Sequence, residues 1–140
     1  MSISSVRTAL ETKLNAMSPA LLTAWPNVRF PPENVTLTPS TPYQAAYLMP
    51  ATPDNPTMGD GFYREQGILQ ISLFYPLQAG PQTAEVRADL IRATFSRGTA
   101  MTSGSVKVIV NRTPEIGQGR VDGDRWHVPV KIVWQAGIIA

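Results

Sequence analysis

His127 is the only histidine in this 140-residue chain, and there is no cysteine. One histidine cannot build a multi-histidine zinc or copper site. The absence of thiols excludes a thiolate metal site, a disulfide framework and a cysteine nucleophile. A serine hydrolase needs a serine, a base and an orienting group in mutual reach, and no G-x-S-x-G elbow accompanies His127. His127 alternates outward with Pro129 and Lys131, which reads as a surface histidine rather than a general base. Glu85 and Asp89 stand four apart, a spacing that could pair two carboxylates on one helix face. Acids early in a helix are favoured by its dipole in any case, so the pair needs no catalytic explanation. Asp122 and Asp124 flank Gly123, but calcium asks for about six to eight oxygens and no further carboxylate pattern follows. Gly117-Gln118-Gly119 lacks the third glycine and the helix start of a phosphate loop. The sequons at Asn34 and Asn111 carry no meaning without a secretory signal. No catalytic, metal or cofactor set assembles, and the expectation is a non-enzymatic protein.

The balance of charges agrees. Twelve basic and ten acidic residues give a net charge of +2, too little for strong non-specific binding to nucleic acid. Trp126, Trp134 and Lys131 share a strand pattern but alternate onto opposite faces, so stacking of single-stranded bases between them is not indicated. With 43% hydrophobic and 16% charged residues the chain should fold, and its length suits a single domain over residues 1–140. No run is long and apolar enough to span a membrane, and the start lacks the pattern of a signal peptide.

The elements that must hold these residues follow from periodicity. Val6, Leu10, Leu14 and Met17 recur at helical spacing, with Ile3 before them, and predict an amphipathic helix over residues 4–17 stopped by Pro19. Residues 26–56 hold eight of the 13 prolines, which disfavours long central strands. Short strands are expected at 28–30 and at 43–49, the second with Tyr43, Ala45, Tyr47 and Met49 on one face. Residues 51–61 form a long exposed loop, either a connection or an assembly contact. A strand over 63–75 points Leu69, Ile71, Leu73 and Tyr75 one way. A second helix over 82–97 ends before Gly98. It carries two apolar stripes: Ala84, Ala88, Ile91 and Phe95 on one side, and Val86, Leu90 and Ala93 on nearly the opposite side. One stripe can pack on a sheet; the other must be covered by this chain or by another subunit. A β-meander closes the sequence. It has a strand through Val106, Val108 and Val110, an arm over 115–120, a turn at Asp122-Gly123, and a last strand from Trp126 to Trp134 with both tryptophans in the core. The expected fold class is α+β, two helices on a mostly antiparallel sheet in the order α-β-β-β-α-β-β-β.

In this order, four stretches resemble the tail terminator-like proteins of long-tailed bacteriophages: SSVRTALETKLNAM, YLMPATPDNPTMG, LFYPLQAGPQTAEVRADLIRATFSRG and WHVPVKIVW. The resemblance implies a hexameric ring on the head-proximal end of the tail tube. Such a ring stops tube polymerisation and offers the surface for head joining. The implied partners are further copies of the chain, the tail-tube protein and a head–tail connector, with DNA passing only through the lumen. It implies no cofactor and no membrane, a place in the virion tail, and host cytoplasm during assembly. A neck or head-completion connector is the alternative reading. The candidate assembly residues are Asp54, Asn55, Met58 and Arg64 in and beside the long loop, Val86, Leu90 and Ala93 on the second helix, and Arg97.

Overall fold

The computed structural model describes residues 3–18, 21–32, 36–55, 61–78 and 80–139. Helix α1, Ile3–Asn15, buries Val6, Leu10 and Leu14, the positions set by helical spacing, and Met17 is buried just beyond its end. Pro19, the expected stop, lies outside the described residues. The sequence next forms β1 (Thr23–Ala24), β2 (Tyr43–Pro50) and the 15-residue β3 (Phe62–Pro76). After α2 (Gln82–Thr94) come β4 (Ala100–Ser103), β5 (Val106–Val110), β6 (Glu115–Ile116), β7 (Arg120–Asp122) and β8 (Arg125–Ile139).

The eight strands make one mixed sheet in the order β1-β2-β3-β8-β5-β4, with β6 and β7 also pairing to β8. β1 and β2 are parallel and every other pair is antiparallel. Its spine is β3 against β8, in register from Phe62↔Ile139 to Pro76↔Arg125. Period-two alternation sends Leu69, Ile71 and Leu73 of β3 and Val128, Val130, Ile132 and Trp134 of β8 into one core, each at most 2% exposed. Val106, Val108 and Val110 extend that face. Both helices cover it, α1 over β4 and β5 and α2 over β3 and β8. The class is α+β, as the two periodicities require.

The details depart from the expected order in four places. No strand forms at 28–30: Asn27 adopts φ +56° and the Val28 N–H donates to the Trp25 carbonyl, closing a turn where extension would begin. The parallel pair at Thr23–Ala24 takes its place. Residues 100–103, outside every expected strand, are β4, which forms a hairpin with β5 around Gly104 and sets Met101 opposite Val108. The arm expected over 115–120 is divided between β6 and β7. Between them the position of a Gly119 Cβ is occupied by the Trp126 ring, 2.4 Å away, so only glycine fits. α2 stops at Thr94 rather than Arg97, because Phe95 leaves helical geometry and is wholly buried. The Asp122-Gly123 signal does mark a hairpin, with Asp122 paired to Arg125 across Gly123 and Asp124.

Candidate assembly surfaces

α2 is two-faced, and the structure separates its faces. Ala84, Ala88, Ile91 and Phe95 are 1% exposed or less and lie in the core. On the other side Val86 is 60% exposed and Ala93 is also exposed. Leu90, placed in the same stripe by the sequence, is half-buried and packs against the core. The chain itself therefore covers Leu90 in part and leaves Val86 and Ala93 open. Arg87, between the faces, is buried; that burial lowers its pKa, and Tyr75 partly opposes the shift. Arg97 lies beyond the helix and is exposed.

The described start of the long loop, residues 51–55, lies along β3. Asp54 and Arg64 exchange backbone hydrogen bonds of 2.9 and 2.8 Å, and Arg64 Nη1 donates to Asp54 Oδ2 at 3.3 Å. Both side chains are solvated, so the ion pair itself contributes at most about 1 kcal/mol. It still engages Arg64 within the chain. Asn55 is exposed, and Met58 lies outside the described residues.

The face of the sheet away from the helices carries a feature that alternation alone did not reveal. Phe30, Tyr43, Phe74 and His127 form a continuous stack, with ring centroids 4.9, 4.8 and 4.8 Å apart. Arg125 lies 5.0 Å over the Tyr43 ring and donates to the carbonyls of Thr38 and Thr41. His127 is thus not a surface histidine: it is 6% exposed, its ring stacked nearly parallel to Phe74 at 9°. Strand period fixes which face a residue occupies but not whether a loop covers that face. Here Phe74 of β3 stacks on the His127 ring, Arg120 of β7 is its register partner, and the segment before β2 packs on the neighbouring Tyr43 and Arg125. Burial holds the His127 pKa below its ordinary value, Arg120 lowers it further, and Asp122 opposes them.

Trp134 is fully buried, as expected, but Trp126 is only half-buried. It walls an apolar cleft of about 390 Å³ with Pro76, Leu77, Pro81 and the 64%-exposed Val121. Among the described residues no group of three or more His, Cys, Asp or Glu side chains could hold a metal ion. No described helix is long and apolar enough to cross a membrane. What the described geometry offers is surfaces for contact.

Comparison with known proteins gives these surfaces a context. The chain belongs to the phage tail terminator protein family, whose model matches residues 5–134. This is a structural family of tail assembly, and the protein is accordingly a bacteriophage tail component. Eight solved chains match it. One of them superposes with a TM-score of 0.77 at 28% identity, covering 100% of this chain and 99% of that one. No curated protein matches.

Proposed function

We propose that this protein caps the head-proximal end of the tail tube as a hexameric ring, stops tube polymerisation and presents the surface to which the head is joined. One observation carries the reading within the family: on the outward side of α2, Val86 and Ala93 are solvent-facing and left open by the rest of the chain, beside the exposed Glu85 and Asp89. A helix edge that joins exposed apolar groups to charged ones can be covered by a neighbouring protein, whose interface combines apolar and polar contacts. A heterologous contact between copies whose rotation closes gives a ring, which ends growth instead of propagating it. Each contact can be weak alone, because the tube end holds several subunits at once and makes the later contacts intramolecular. The ring assembles in the host cytoplasm, touches tube protein on one side and connector protein on the other, and lets DNA pass through its lumen. Residues 1–140 act as one domain, and the work is done by binding, with no cofactor.

Electron microscopy of the purified protein mixed with tail-tube protein tests this. The expected image is a ring of density on one end of each tube. Tubes with two bare ends, or binding to connector protein but not to tube protein, contradict it and favour a neck connector instead.

A further inference from the structure

Arg120 and Lys131 stand on the outer face of the sheet, and neither makes an ion pair with a described residue. Arg120 is the register partner of His127, and Lys131 that of Gln70. With Gln118 these four side chains line a recess of about 480 Å³. The wall contains a neutralisable, nine-tenths buried group: both ring nitrogens of His127 are out of contact with solvent and hydrogen-bond to no described residue. Two cations and two side-chain amides make a site for a carboxylate, with the buried imidazole forming part of its wall.

The chain displays matching carboxylates elsewhere. Glu85 and Asp89 lie on α2 beside Val86, are exposed, and have no ion-pair partner among the described residues. One helical turn separates them, about 6 Å along the axis. α2 packs on the inner face of the β3–β8 pair, whereas the recess opens on the outer face of the same pair.

We propose that the recess lined by Arg120, Lys131, Gln70, Gln118 and His127 receives the acidic edge of α2, Glu85 and Asp89, from a second copy of this chain. The inference rests on the ring reading above and names the two surfaces that meet. Because they lie on opposite faces of one sheet, the contact is head to tail, the kind a ring requires. It also places Val86 at the margin of the contact, where its exposed surface leaves water. Duplex DNA fits the recess poorly. Glu115 and Asp122, the register neighbours of Lys131 and Arg125, border the recess and oppose any anion, so phosphates spread across the face are opposed more than two carboxylates confined to the recess.

Charge reversal tests the pairing. One variant carries Arg120→Glu with Lys131→Glu, a second carries Glu85→Lys with Asp89→Lys, and a third carries all four. Each is checked for an unchanged unfolding temperature and then mixed with tail-tube protein. The first two should lose capped tube ends, and the four-fold variant should recover them, since reversed helix then meets reversed recess. If a reversal lowers stability, Arg120→Gln with Lys131→Gln is expected to lose caps in its place. Capping at the wild-type level by both reversed variants, or no recovery in the four-fold variant, overturns the pairing while the ring reading stands. Loss of DNA retention with caps intact assigns the recess to DNA and overturns it too. Uncapped tubes with the wild-type protein bring down the ring reading itself, and the pairing with it.

Discussion

Val86 and Leu90 are four residues apart on α2, yet their surroundings assign them different work. Val86 is 60% exposed. Complete burial of a valine contributes about 1.5–3 kcal/mol, so the surface still open can add about 1–2 kcal/mol to a contact that covers it. Val86→Ser removes that term. It should leave the free protein within about 0.5 kcal/mol of wild type, because the side chain supports nothing in the monomer. A loss of 1–2 kcal/mol weakens each contact roughly 5- to 30-fold, and a ring compounds the loss over its contacts. Leu90 is half-buried against the core. A fully buried leucine cut to alanine costs about 2–5 kcal/mol, so Leu90→Ala should cost about 1–2 kcal/mol of fold stability. For a domain of this size that is a fall in melting temperature of roughly 3–8 °C. The assay pairs a thermal melt of each variant with the fraction of tube ends capped. Val86→Ser should melt as wild type and cap poorly, and Leu90→Ala should melt early. An early melt for Val86→Ser, or undiminished capping by it, would refute the assignment.

Three further outcomes follow from the core and the outer face. Gly67→Ala should destabilise by about 1–3 kcal/mol in urea unfolding. Its Cβ would come within 2.5 Å of the Met49 carbonyl oxygen and 2.9 Å of the Trp134 ring, whereas Gly61→Ala, with nothing within 4 Å, should be close to neutral. Trp134→Ala should cost about 3–5 kcal/mol and Trp126→Ala clearly less, since only the first is fully buried; equal urea midpoints would contradict the packing. Since the folded His127 pKa is lowered, the unfolded chain takes up its proton first as pH falls. Its contribution is whole above about pH 6.5 and is lost as pH drops from there through the folded pKa. His127→Gln should flatten the fall in urea midpoint between about pH 7 and 5; an unchanged slope would show the ring to be solvated.

What could be read from the sequence was the part that one chemical rule governs. Val6, Leu10 and Leu14 are buried because helical period and hydrophobicity coincide, and Leu69, Ile71 and Leu73 because strand period does. The α2 stripe that ends in Phe95 is legible for the same reason. β4 was not legible: AMTS has a single large apolar residue, and it becomes a strand because β5 supplies hydrogen-bond partners, a non-local cause. Thr23–Ala24 is a strand only beside Gln44 and Ala45. The burial of His127 and Arg125 is equally non-local, since Phe74, Tyr43 and the Thr38 and Thr41 carbonyls come from other parts of the chain. Of the candidate contact residues, Val86 and Ala93 could be placed on the outward side of α2 because a helix with two apolar stripes buries only one of them in the core. The Asp54–Arg64 bridge could not, as no spacing rule joins positions across that loop. Arg120, Lys131 and Gln118 were missed for a different reason. They converge only once β7 folds back on β8, and single charges far apart in sequence give no pattern beforehand.

The central claim is that this protein ends tube growth. Its most direct test is the length of tail tubes as they polymerise, followed over time with and without the protein present at a few rings per tube end. Growth should stop when the protein is added, and tube length should thereafter stay constant while free tube protein remains. Tubes that continue to lengthen at the rate seen without it would contradict the account.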